Sequence, residues 1–458
     1  MLPMLPTSEK LSGLTATGAP AANGGVSVRC ATGAALTTTS DVGGAWTATL
    51  TDQTFPCLVS VSGGSLQAGQ TLYSLAMDAT PLNVTPLTGM VLASALGAAP
   101  TTLDVRTLGA SASTALAQGL VKVNAILSAS GYKPPSGNPL TAVFQATAGD
   151  SHDDLISTLM RSLDDEGISY DELLASIAAA GDAGVPVPLT HVYKAAELLP
   201  AAMPQLNNAR LSVRDGELSM VLGSGDPSAV GAYVGSGTGN KAILQLPGLN
   251  GVKLSTFKDM TLEVKGESNY RNGSGLPNLY TYVNFLVDLQ CTGQPLAAGS
   301  TIDQVRAQRR IVIFDPFYKF IQQDNSISSV DFFSAKFNYG TGGWRASAGA
   351  SLGTGVFVPQ PQGPGYNGSE TLQGFDFQTY PNACIVDGIS ADGGLHRDTT
   401  DAQCATLNAL AGSSPAICGR SHSGAIVVLG GSNVLTPSDW KVRKVRLNAT
   451  NVRNFVFR

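Results

Sequence analysis

Short stretches in which apolar and polar residues alternate, cut off every few positions by glycine or proline, run through most of this chain. With 52 glycines and 25 prolines among 458 residues, few segments escape a breaker long enough to form a long helix. The chain is therefore expected to be mainly β. A period of two lines one face of a strand, whereas helices need apolar positions three and four apart. The length exceeds what one ordinary core occupies and predicts two or three domains.

Charge narrows the field. Asp, Glu, Lys and Arg make up 13% of the chain, about half the usual share. Self-repulsion will not keep such a chain unfolded. The 33 acids exceed the 28 bases, for a formal net charge of −5. That balance excludes a nucleic-acid partner, which requires a basic face to displace counterions. No apolar run reaches the ~18 residues of a membrane-crossing helix, so no transmembrane segment is expected.

The six cysteines stand at positions 30, 57, 291, 384, 404 and 418. None forms a CxxC pair, and none has histidine at zinc-ligand spacing. An even count with low charge indicates an exported protein carrying disulfides; the alternative is six reduced, buried thiols. Met1–Pro6 has neither the basic start nor the long apolar core of a signal peptide. Export would then rest on a leader already removed, or on information outside these residues.

Residues 1–85 read as a small β-sandwich. Val26, Val28 and Cys30 share one strand face; Trp46, Ala48 and Leu50 share another; Cys57, Val59 and Val61 share a third. Thr38–Trp46 reads as a hairpin in which Asp41 and the glycines supply the turn. Cys30 and Cys57 both point inward on this register, so they are expected to bridge. Closing that loop is worth about 3–4 kcal/mol on the chain-entropy argument.

Gly18-Ala19-Pro20, Val26-Ser27-Val28 and Thr38-Thr39-Ser40-Asp41 followed by Gly44 and Trp46 form a pattern. It resembles the carboxypeptidase regulatory-like, or prealbumin-like, β-sandwich of bacterial surface proteins and lipoproteins. Leu72-Tyr73-Ser74 and Asn83-Val84-Thr85-Pro86-Leu87-Thr88 resemble the linker that joins this module to a helical segment. The resemblance implies a spacer or structural role and no catalytic residues. Some relatives form lysine–asparagine isopeptide bonds; Lys10 lies near the first strand, but no matching acid and asparagine accompany it.

Residues 86–200 change period and predict a small helical domain. Thr85 before Pro86 caps a first helix, and Leu116, Leu120, Val123 and Leu127 recur at helical spacing. Ser151 is read as the cap of a third helix, and Ser169 with Glu172 as a capping box for a fourth. Thr190 is expected to cap a short helix ending near Pro200. From 201 to 458 strand patterns return, with a hairpin turn at Arg214–Glu217 and a basic tail from Trp440 onward. About ten strands predict a two-sheet, jelly-roll-like β-sandwich, with a closed barrel as the alternative.

Few residues invite chemistry. Asp164–Ser169 lacks the register of a calcium loop, because the position needing a bidentate acid is Leu173. Gly419–Gly424 lacks the spacing of a nucleophile elbow, and a strand rather than a helix follows. With histidines only at 152, 191, 396 and 422, no triad can be assigned, and no enzyme is expected. Asp387, Asp392, Asp398 and Asp401, among glycines, are candidates for a structural Ca²⁺ site, against a plain surface loop pinned by disulfides. No other cofactor is expected. Cys404–Cys418 is the favoured close pairing, leaving Cys291–Cys384.

Trp344 and Tyr366, in glycine-rich loops, are candidates for stacking on sugar rings. Lys441, Arg443, Lys444, Arg446, Arg453 and Arg458 suggest a charged edge strand or a patch for acidic partners. Together these features predict an extracellular or cell-surface, outer-membrane-associated protein with a structural or adhesive role. Self-assembly into a filament or sheath through strand addition is its specific form. Its partners would be itself, other surface components or a polysaccharide. A carbohydrate-binding module and, third, a secreted hydrolase are the alternatives.

Overall fold

The computed structural model describes residues 8–109, 111–181, 183–193, 210–222, 239–267, 281–292, 309–314, 329–338, 343–346, 369–371, 380–389, 421–432 and 438–458. Among these, strand residues outnumber helical ones and the protein is mainly β. The chain divides into two compact units, 1–190 and 191–458.

The first unit opens with seven strands: β1 (Glu9–Thr15), β2 (Gly25–Thr32), β3 (Leu36–Thr39), β4 (Ala45–Leu50), β5 (Thr54–Ser62), β6 (Thr71–Ala76) and β7 (Leu82–Val84). They form a three-stranded sheet in the order β4-β1-β7 and a four-stranded sheet in the order β3-β2-β5-β6. The three inward faces read from the alternation, 26/28/30, 46/48/50 and 57/59/61, are all buried. The stretch around Asp41 is a turn but not a hairpin. The Asp41 carboxylate accepts the amides of Gly43 (2.8 Å) and Ala45 (2.9 Å), and Gly44 takes a φ of 81°. β3 pairs with β2 whereas β4 pairs with β1, so the turn carries the chain from one sheet to the other. Buried Ser40 fixes this corner by donating to Ala21 O (2.6 Å) and accepting Gly24 N–H (2.8 Å).

Four helices follow: α1 (Pro86–Leu96), α2 (Ala112–Ala129), α3 (Ser151–Glu166) and α4 (Tyr170–Ala180). They share one hydrophobic core with the seven strands, and that core runs through residue 85, where the sequence changes period. The segment Asn83–Thr88 is a buried junction rather than an open linker. Asn83 gives its side-chain N–H groups to Pro139 O (3.1 Å) and Ala142 O (2.7 Å). Thr85 and Thr88 cap α1 reciprocally, and the Thr88 hydroxyl reaches Tyr73 O at 2.7 Å. The Ser169–Glu172 capping box of α4 is present. Asp150, one residue before the expected Ser151, caps α3 by accepting the amides of His152 and Asp153, since a carboxylate offers the helix terminus full negative charge. Gly167, with φ 67°, ends α3 and separates it from α4, so Asp164–Ser169, which lacks calcium-loop register, is the turn between two helices.

β8 (Leu189–Tyr193), which spans the boundary between the units, is extended where a short helix after Thr190 was expected to begin; residues 194–200 lie outside the described residues. Its β-branched and aromatic residues favour extended chain. Tyr193 stacks on Phe457 with ring centroids 5.3 Å apart. β9 (Arg210–Arg214) and β10 (Glu217–Leu222) form the expected hairpin, with left-handed φ at Asp215 and Gly216, the geometry of a primed two-residue turn. The remaining strands are β11 (Gly239–Gln245), β12 (Asp259–Glu267), β13 (Thr281–Asp288), β14 (Arg309–Phe314), β15 (Ser329–Asn338), β16 (Gly343–Ala346), β17 (Ser369–Thr371), β18 (Cys384–Ile385), β19 (Gly388–Ile389), β20 (Ser421–His422), β21 (Ala425–Ser432), β22 (Ser438–Asn448) and β23 (Val452–Phe457). One sheet runs β16-β15-β12-β22-β10-β9, with β23 bridging β22 and β8; another runs β11-β21-β13-β14-β17, with β18 beside β13. Inward residues of both sheets form one core.

β22 shows how the pattern is read. Its buried positions are 440, 442, 445 and 447, so the alternation skips a place between Val442 and Val445. The pairing with β12 shifts register there, between Glu263 and Val264, and Arg443 is the extra residue. Such a bulge keeps both halves facing the core.

Candidate functional site

The acidic segment singled out in the sequence begins inside the core. Ala383, Cys384, Ile385 and Val386 are buried, and Cys384 is bonded to Cys291 with Cα atoms 5.2 Å apart. Ile385 pairs with Val287 of β13 on one side and exchanges backbone hydrogen bonds with Gly251 and Val252 on the other. Here the segment is a short inner strand, not a surface loop. Asp288, at the end of β13, is buried and accepts Gln290 N–H (2.9 Å) and the Thr292 hydroxyl (3.0 Å).

Asp387 comes next and fastens strands together. Its amide donates to Asn250 Oδ1 (3.0 Å), and its carboxylate accepts Gly424 N–H (3.0 Å). Burial pushes its carboxyl above the usual carboxylate range, and the Gly424 amide pulls the other way. Gly424 has to be glycine, because a Cβ there would lie 2.1 Å from Val386 O. The ribbon of β19 and β20 sets Gly388 opposite His422 and Ile389 opposite Ser421.

So Asp387 and the Ser421–Ser423 stretch, unrelated in sequence, do meet. The Ser423 hydroxyl, however, donates to Leu246 O and its amide donates to Gln245 Oε1 (3.1 Å). A hydroxyl proton held by a backbone carbonyl is not offered to a base. Strand β21 follows at Ala425, as the sequence predicts. Among the described residues no three His, Cys, Asp or Glu side chains gather to hold a metal. Asp392, Asp398, Asp401, Tyr366, Cys404 and Cys418 lie outside the described residues. Trp344 sits on β16, opposite Phe337 of β15.

The basic tail is not an edge, and three of its cations meet acids of neighbouring strands. β22 lies inside its sheet, with β12 on one side and β10 and β23 on the other. Arg443 bonds to Glu263 (3.3 Å) and Glu217 (3.4 Å), Lys441 lies 3.9 Å from Glu217, and Arg446 holds Asp259. Neighbouring strands supply the acids that the tail itself lacks.

Among the described residues of the first unit, two clefts bear on function. One, of about 310 Å³, is apolar and is lined by Leu75, Met77 and Leu82 with Leu116, Leu120 and Leu140. Its loop wall is the segment that Asn83 clamps. The other, of about 410 Å³, is polar and lies between β2 and the turns 101–106, with Arg29, Asp104 and Arg106 in its lining. Alternation along β2 predicts that Arg29 faces outward between Val28 and Cys30. Nothing local, however, reveals that residues 101–106 fold across it.

No protein family, curated protein or solved structure matches this chain. Its sites therefore rest on their own chemistry.

One buried acid has a measurable consequence. Asp153, in the first turn of α3, is wholly inaccessible, and neither carboxylate oxygen has a hydrogen-bond partner. Burial, followed by the charges of Asp150 and Asp154, lifts its pKa to about 6. Its neighbour His152, stacked on Phe144 at 4.6 Å, is pushed down by burial, with Asp150 opposing. An acid whose folded pKa is raised costs nothing while both states are protonated. It takes stability away as pH rises from about 4 to about 6, where the unfolded chain ionises first. Asp153→Asn should therefore stabilise the first unit by about 1–2 kcal/mol at pH 7.5, after allowance for solvent screening, and change little at pH 3.5. Urea unfolding of both proteins at the two pH values measures this, and an equal effect at both would refute it.

Proposed function

We propose that this is an exported bacterial cell-surface protein with a structural or adhesive role, which assembles with itself or with other surface components into a filament or sheath. The observation that carries the reading is the placement of the disulfides. Cys30 and Cys57 are directly opposed on β2 and β5, and Cys291–Cys384 ties the inner strand at β18 to the end of β13 across 93 residues. Such bonds persist in oxidising compartments and stiffen a β scaffold. No helix among the described residues is long and apolar enough to cross a membrane.

On this reading the first seven strands are a prealbumin-like sandwich; their division into sheets of three and four over one core supports it. The second unit is a jelly-roll-like sandwich, supported by two large sheets that feed a single core. Electron microscopy and sizing of the purified protein test the proposal. Ordered assemblies, or adhesion to cells, are expected; a strict monomer that adheres to neither cells nor polymers would overturn it.

A further inference from the structure

Arg29 stands on the outward side of β2, at the mouth of the polar cleft. Its guanidinium makes no hydrogen bond or ion pair among the described residues, although its charge reaches the Asp104 carboxylate across the cleft. Arg106 lines the same cleft in a different state. Its Nε and Nη2 both bond to the Asp104 carboxylate at 2.8 Å, and Asp104 Oδ1 also accepts the Arg106 amide at 3.1 Å. That clamp holds the Arg106 head still and leaves its outer N–H groups unused. Two guanidinium groups against one carboxylate give the cleft a positive charge on an acidic protein.

The walls are fixed. Cys30 lines the cleft, and its bond to Cys57 locks β2 to β5. Buried Val105 seats the turn that carries Asp104 and Arg106. Thr101, Thr102 and Gly33 complete the lining; the Thr102 hydroxyl is engaged with Ala99 O at 2.9 Å. The volume of about 410 Å³ exceeds what one carboxylate needs and suits a sugar ring. The polar lining gives little purchase to the apolar side chains of a peptide.

We infer that this cleft binds the carboxylate of a uronic acid residue in an acidic polysaccharide. Arg29 supplies the planar fork, Arg106 a second donor, and Thr101 a hydroxyl partner for the ring. A guanidinium matches a carboxylate with two parallel hydrogen bonds, which a lysine cannot reproduce. The inference stands whether or not the chain assembles with itself.

Calorimetric titration of the full-length protein with a galacturonate trimer tests it, alongside a neutral galactose trimer, polyglutamate and sodium sulfate. The galacturonate trimer should bind and the neutral trimer should not. Arg29→Gln should weaken uronate binding about tenfold or more, and Arg29→Lys severalfold, as expected for loss of a charged bidentate contact. Arg29 is exposed, so the melting curve of Arg29→Gln should overlay that of the parent, showing that lost binding is not lost folding. Absence of uronate binding at millimolar concentration, or undiminished binding by Arg29→Gln, would overturn the proposal. So would polyglutamate or sulfate binding as tightly as the trimer, because the cleft would then read charge without reading sugar.

Discussion

Trp440→Ala is expected to cost the second unit about 3–5 kcal/mol, the range for deleting a fully buried large side chain. Trp440 is inaccessible and lies opposite Gly266 in the pairing of β22 with β12. A Cβ at Gly266 would lie 2.5 Å from the Trp440 ring. Glycine inside a strand usually weakens it. Here the missing side chain is the space the indole occupies. Gly266→Ala alone should therefore cost about 1–3 kcal/mol as overpacking. In the Trp440→Ala background that cost should largely disappear, because the ring it clashes with has gone. Denaturant unfolding combined with amide exchange in β12 and β22 gives the double-mutant cycle. Additive costs, or a loss below about 1 kcal/mol for Trp440→Ala, would show that the ring does not fill this space.

What the sequence disclosed was local. The inward faces of β2, β4 and β5, the caps of α1 and α4 and the Asp215–Gly216 turn all depend on residues a few places apart. Each was legible because backbone geometry alone decides it. The Asp41 turn shows the limit. Its Asx geometry is written in Asp41 and Gly44, but the partner of β4 is β1, more than thirty residues upstream by register. A hairpin and a change of sheet use the same turn.

The basic tail fails in the same way. Its charges are plain, yet the acids that meet Arg443 lie 180 and 226 positions away. The interrupted alternation at 442 and 445 did hold a signal for the bulge. Asp387 and Arg29 differ in kind: what each does depends on which backbone or turn folds across it, and no spacing rule encodes that. Asp153 was equally hidden, because an acid in the first turn of a helix normally faces water and favours the terminus.

Reducing the Cys30–Cys57 pair to alanines asks how far a single core extends. The loop spans 27 residues, so its opening should lower the stability of the first unit by about 3–4 kcal/mol on the chain-entropy argument. Alanine is preferred to serine because a buried hydroxyl without a partner would add a desolvation cost of its own. The loss should not stay in the strands. Tyr73 on β6 accepts the Thr88 hydroxyl of α1, the Tyr170 hydroxyl of α4 donates to Pro86 O (3.0 Å), and all three elements belong to one hydrophobic cluster. Elements that share a core open together. Amide exchange in α1 and α4 should thus accelerate by a factor similar to that in β5, while the buried strands of the second unit, which have their own cluster, keep their protection. If β2 and β5 alone lost protection and α1 kept its own, strands and helices would be separate folding units, with the boundary falling near residue 85 after all.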